Sequence, residues 1–196
     1  EIAHEPALAG AAPAATWKAC QAAIKAWYKT MTAELSTAAA AESRALFSFC
    51  GHGFEVTGNQ ILLPDDYMNP NDVENPDFAI STRNLVRALA SAAVPTQIFF
   101  PDACRNDTAA LLQYDVTGTR ILPEAPRSAA NAARVAPVLN ATASGSTAWQ
   151  PNDPATGLSL YGEALLEALR GAGDISVDWS IDPGDIRMYP IQDYLN

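Results

Sequence analysis

The sequence predicts an α/β domain whose central sheet is mostly parallel and flanked by helices. Three observations carry that prediction. Short apolar runs stand at Arg44–Cys50 (RALFSFC), Thr96–Phe100 (TQIFF) and Val138–Ala143 (VLNATA). Apolar residues at three- and four-residue spacing mark helices between and after them. The resulting order of strand, helix, strand, linker, strand and helix belongs to parallel sheets covered on both faces.

Each element has its own signal. Residues 1–15 are rich in Ala and Pro and read as a tail or loop. Thr16 is a natural N-cap for a helix over 16–41, with Trp17, Cys20, Ile24, Trp27, Tyr28, Met31 and Leu35 on one stripe and Lys18, Lys25 and Lys29 outside. The run 44–50 is a buried strand that Gly51-His52-Gly53 ends. Ile61-Leu62-Leu63 is a small hairpin strand, and residues 64–80, with three prolines, form a loop. Ser81 caps a helix over 82–93, with Leu85, Val86 and Leu89 inward and Pro95 beyond its end. After the strand 96–100, residues 106–114 form a short helical turn. Leu158–Arg170 is a helix with Leu158, Tyr161, Leu165, Leu166 and Leu169 on one face. A strand is expected at Ile175–Trp179.

These elements make one domain in four stretches. Residues 1–15 are a tail, and 16–116 hold the first two strands. Residues 117–137 are a linker rich in Ala with three Pro and three Arg, and 138–196 hold the third strand and last helix.

Composition narrows the function. The chain has 196 residues, 48% of them hydrophobic and 17% charged, enough for a core without staples. The net charge of −10 and a pI near 4.5 argue against nucleic acid and anionic membrane as partners, and suit a basic peptide. Three cysteines without a CxxC pair indicate neither a disulfide framework nor a zinc site. No apolar run reaches the roughly 18 residues of a membrane span. With no signal-like start, the expected location is cytoplasmic.

Parallel sheets place their sites beyond the carboxyl ends of the strands. His52 follows the first strand there, and Cys104 follows the second. Neighbouring strands lie about 4.8 Å apart, so the two side chains can meet. An imidazole beside a thiol takes its proton or favours the thiolate, which makes sulfur a nucleophile. The same imidazole then protonates a leaving amine. A backbone N–H at Gly53 or Cys104 would serve an oxyanion. The plain alternatives are a turn histidine and a small core cysteine. Cys50 sits two residues before His52, and Cys20 lies on a helix core face.

The residues Phe47-Ser48-Phe49-Cys50-Gly51-His52-Gly53 resemble the strand-plus-GHG segment of caspase-like cysteine peptidases. Asp102-Ala103-Cys104-Arg105-Asn106 resembles the nucleophile segment of bacterial metacaspase-type members, and His52 lies 52 residues upstream of Cys104. Ala141–Gln150 is similar to the strand and loop that open the family's small subunit, and Leu158–Leu169 to the helix that follows. The resemblance spans about residues 42–170, in matching order, and implies a caspase-like sandwich. It also implies an endopeptidase with His52 as base and acid and Cys104 as nucleophile. Asp102 would line the pocket for the P1 side chain, which favours Arg or Lys. Ser144 and Trp149 would contact substrate. Gln150 stands where true caspases carry an Arg, which argues against cleavage after Asp.

The linker 117–137 falls where the family divides into subunits, with Arg120, Arg127 and Arg134 as candidate self-cleavage sites. No cofactor is expected. Asp65 and Asp66 would join a regulatory Ca²⁺ site only with many more oxygen ligands. The family's usual first strands have no counterpart in residues 1–15, so an upstream chain or segment is expected to complete the sheet. The expected partner is otherwise a protein or peptide substrate. A catalytically silent caspase-like scaffold, or a protease of different P1 preference, is the alternative.

Overall fold

The computed structural model describes residues 14–68, 78–106, 117–124, 136–149 and 158–169. Helix α1 spans Trp17–Lys29, capped by the Thr16 side chain, which accepts from the Ala19 N–H at 3.3 Å. It does not run on to residue 41. A π-helical turn occupies Thr30–Glu34, Leu35 is extended, and Ser36 caps a second helix, α2, at Thr37–Glu42. The Thr32 hydroxyl donates to the Tyr28 carbonyl at 2.8 Å, a back-bond that loosens a helical ladder. Ser36 then offers a cap that a continuous helix would waste.

Strand β1, Arg44–Cys50, pairs in parallel with β5, Thr96–Asp102. Strand β5 extends two residues past the expected Phe100 and is buried at every position, because both its faces are covered. One cover is α1 with the region around Leu85, Leu89 and Val94. Trp27 and Phe47 stack at 6.1 Å there, and Phe47 and Phe99 at 5.9 Å. The other cover is helix α4, Leu160–Leu169, whose Tyr161 and Ala168 pack on Ile98, Phe100 and Leu139.

Strand β1 is not the buried strand expected. Its residues alternate, and Leu46 is 55% exposed. Among the described residues its strand partner is β5 alone, and α4 reaches over β5 rather than over β1.

A three-stranded antiparallel sheet follows: β2 at His52–Val56, β3 at Asn59–Leu63 and β4 at Ile80–Ser81. The GHG triplet therefore opens a strand as well as ending one. Thr57 and Gly58 both have positive φ, 47° and 70°, the geometry of a two-residue hairpin turn. Ser81 caps α3, Thr82–Leu89, as expected, accepting from the Asn84 N–H at 3.1 Å. The helix stops before residue 93. Buried Gln97 donates to the carbonyls of Leu89 and Val94 at 2.8 and 3.1 Å, which supplies the helix end with a partner.

The third strand is shorter than expected. Val138 bridges Phe99 in parallel, and the N–H groups of Leu139 and Ala141 donate to Phe99 and Pro101. Beyond Ala141 the chain leaves the sheet to bond Arg105. Nor is the start of 117–137 a free linker. Thr119 pairs with Ile80, Leu122 is buried, and Gly118, at φ 78°, lies so close to β4 that a Cβ would meet Ser81 at 2.7 Å. Helix α4 begins later than expected, at Leu160. Its cap is Ser159, whose Oγ accepts from Gly162, and Leu158 and Leu169 are exposed. The expected turn at 106–114, apart from Asn106, and the strand at 175–179 lie outside the described residues. So do Arg127, Arg134 and Gln150. Among the described residues no helix is long and apolar enough to cross a membrane.

Candidate active site

The β1–β5 register runs in step from Arg44 opposite Thr96 to Cys50 opposite Asp102. One more bond follows, from Gly51 N–H to the Asp102 carbonyl at 3.0 Å. His52 and Cys104 each stand two residues past that last rung, at the carboxyl ends of adjacent parallel strands. His52 is exposed, and Cys104 is half-buried with its thiol donating to the Ala148 carbonyl at 3.9 Å.

Gly53 brings β2 against the cysteine segment. A Cβ there would lie 2.8 Å from the Ile61 carbonyl oxygen, 2.9 Å from Ala103 Cβ and 3.2 Å from the Cys104 carbonyl oxygen. No larger residue allows that approach. From β3, buried Gln60 donates its Nε2 to the Ala103 carbonyl at 3.0 Å and reaches the Cys104 carbonyl at 3.5 Å. These carbonyls lie past the end of the ladder and need such a donor.

The next residue is clamped from three sides. Arg105 Nε and Nη2 both lie 2.6 Å from Oε2 of buried Glu55 on β2. Its Nη1 donates to the Thr142 carbonyl at 3.1 Å, its N–H to the Ser146 carbonyl at 2.9 Å, and its own carbonyl accepts from Gly145. Ser144 Oγ donates to the other Glu55 oxygen at 2.6 Å. With both oxygens engaged, the carboxylate meets the condition under which a buried ion pair is tolerated. The expected substrate contact Ser144 thus spends its hydroxyl on this clamp. Sequence reasoning assigned no role to Glu55 or Arg105. The available signal was a lone acid inside the strand GFEV and a lone base directly after the cysteine.

Asp102 is 8% exposed and points to the α4 face of the sheet, where the Ser159 hydroxyl donates to its Oδ2. It lines a cavity of about 330 Å³ with Ser48, Cys50 and Tyr161, walled by leucines of α4. Burial, and then the Asp102 charge, push the Cys50 thiol above its ordinary pKa. The same two causes push the Tyr161 phenol far up, and its hydroxyl donates to the Leu139 carbonyl at 2.6 Å.

The remaining candidates lie farther out. Trp149 is 72% exposed, and its carbonyl accepts from Leu160 N–H. Arg120 is exposed and pairs with Glu124 at 3.3 Å. Asp65 and Asp66 accept from the backbone N–H groups of Ala15 and Trp17, both at 2.7 Å, so they anchor the start of α1. Their charges, after burial, raise the Cys20 thiol pKa. Among the described residues no three His, Cys, Asp or Glu side chains cluster as metal ligands would.

The chain is similar to known proteins. The uncharacterized protein y4kE of Sinorhizobium fredii (strain NBRC 101917 / NGR234) is 28% identical over 131 residues. The match covers 66% of this chain and 36% of that protein, so the chain spans only about a third of its relative. The family model for the caspase domain, a cysteine-peptidase family, matches residues 20–180. That stretch includes both strand ends and helix α4, and the chain belongs to the caspase domain family.

Proposed function

We propose that this chain is a cysteine endopeptidase in which Cys104 attacks the scissile carbonyl and His52 moves the proton. The observation that carries the reading is the shared rung: both residues stand two positions beyond Cys50–Asp102, with Gly53 packed against the Cys104 backbone. In the acylation step the thiol proton goes to the imidazole and sulfur bonds to the carbonyl carbon. The C–N bond then breaks as the imidazole returns the proton to the leaving amine. Water, with His52 as base, hydrolyses the thioester and frees the thiol. The Gly53 N–H is the proposed oxyanion donor.

Asp102 supports a preference for Arg or Lys at P1. It is a carboxylate on the floor of a cavity with an apolar wall, which suits a long cationic side chain with an aliphatic stem. Trp149, on the exposed rim, is a proposed contact for neighbouring substrate side chains. Self-cleavage after Arg120, Arg127 or Arg134 follows from the same preference. An upstream segment or chain pairing with the outer edge of β1 is the proposed completion of the sheet, since among the described strands β1 pairs with β5 alone and its Leu46 is exposed.

The test uses fluorogenic peptides ending in Arg, Lys or Asp, with the chain, its Cys104→Ala variant and its His52→Ala variant. Turnover of Arg and Lys peptides, lost in both variants, is the expected result. No turnover together with no labelling of Cys104 by an acylating Arg probe overturns it in favour of a silent scaffold. Turnover of the Asp peptide alone overturns the role of Asp102.

A further inference from the structure

A second cavity, of about 340 Å³, opens between α3, β3 and the chain at 138–140. Its volume falls at the small end of ligand sites, which run from about 300 to 1,000 Å³. Arg83, Arg87 and Arg105 line it, and among the described residues no carboxylate does. Arg105 is neutralised by Glu55. Arg83 makes one side-chain bond, from Nη2 to the Thr57 carbonyl at 2.8 Å. The Arg87 guanidinium has neither ion pair nor hydrogen bond among the described residues.

Arg83 and Arg87 are both exposed, so their guanidinium groups are open to a ligand. Arg83 and Arg87 are four apart on α3, where like charges repel each other. The chain carries ten more acids than bases, yet among the described residues no acid forms an ion pair with Arg83 or Arg87. The walls add two further polar demands. Thr82 and Gln60 are both more than nine-tenths buried and both line the cavity. Among the described residues the Thr82 hydroxyl and Gln60 Oε1 have no hydrogen-bond partner, and both atoms lie behind the cavity surface. Val86 and Val138 give an apolar side. Guanidinium forks match carboxylate and phosphate oxygens, often bidentately.

We infer that this cavity binds a small organic anion, carboxylate or phosphate, through Arg83 and Arg87. The site stands independently of the peptidase reading, although Gln60 and Arg105 tie it to the Cys104 segment. The test is an NMR titration of the full isotope-labelled chain at low ionic strength, with inorganic phosphate and, separately, succinate. Saturable shifts are expected on the Arg83 and Arg87 Nε–H signals and on the Asn140 amide. The Kd should rise at least about tenfold in Arg87→Ala, recover in part in Arg87→Lys, and stay unchanged in Cys104→Ala. Saturation by phosphate alone narrows the class to phosphates, and saturation by succinate alone to carboxylates. No saturable shift with either probe, or an unchanged Kd in Arg87→Ala, overturns the site.

Discussion

The two cavities that border residues 102–105 are nearly equal in volume, about 330 and 340 Å³, and opposite in chemistry. One holds the Asp102 carboxylate under a wall of leucines from α4. The other holds Arg83 and Arg87 of α3, with no acid among its described lining residues. The difference follows from strand geometry and from which helix covers each side. Alternation along β5 sends Ile98, Phe100 and Asp102 to the α4 face, while Phe99 packs on the α1 side. Past Asp102 the chain bends, and Arg105 emerges among β2, β3 and the 142–146 loop. A segment four residues long therefore touches an acidic pocket at one end and a basic one at the other, with Cys104 between them.

Replacing the residue between the pockets has the largest expected effect. Cys104→Ala and His52→Ala should each lower kcat/KM on an Arg peptide by at least about 10³-fold, while thermal unfolding stays near that of the parent chain. Next comes the acidic side alone. Asp102→Asn removes the proposed partner of the substrate cation, a loss of about 2 kcal/mol or roughly thirtyfold in kcat/KM. Phosphate or succinate binding on the basic side should not change. If both move together, the pockets are not independent and the comparison fails.

Gly53→Ala tests the packing that holds the segment in place. A Cβ 2.8 Å from one backbone oxygen and 2.9 Å from Ala103 Cβ forces β2 or the Cys104 segment to shift, costing about 1–3 kcal/mol in urea unfolding. Turnover should fall with it. Unchanged stability would mean that the approach is looser than described.

The smallest effects are titrations on the Asp102 side. The folded state favours the neutral Tyr161 phenol, so its contribution is present below the ordinary tyrosine pKa near 10 and is lost as pH rises above that value. Tyr161→Phe should cost about 1 kcal/mol at pH 7 from the lost bond to Leu139, and the gap to the parent chain should narrow by pH 11. Cys50 should alkylate more slowly than a free thiol at pH 8 and faster in Asp102→Asn, as peptide mass mapping would show. A Cys50 rate indifferent to Asp102 would separate that thiol from the acidic pocket.

Much of this fold was legible where residues obey local rules. Thr16 and Ser81 cap the helices they were expected to cap, and β1 starts and ends where RALFSFC does. Other features were set by partners distant in sequence. Helix α1 is expected to run to residue 41 because Met31 and Leu35 keep its period, but Ser36 competes as a cap and the helix breaks at 30–36. The burial of β1 was overestimated because its composition does not say whether a neighbour covers its second face. The clamp of Arg105, Glu55 and Ser144 joins residues 50 and 89 positions apart, and no local pattern announces it.

The sequence by itself determined the α/β class, the two parallel strands that end just before His52 and Cys104, and the caspase-like motif order. These are readable because hydrophobic period, caps and strand ends are local properties of the chain. Only the tertiary structure decided that Gly53 lies against the Cys104 backbone, that Ser159 hydrogen-bonds Asp102, and that Arg83 and Arg87 line one cavity. Each depends on the register and packing of segments far apart in the chain, where a shift of one residue would send every side chain of a strand to the opposite face.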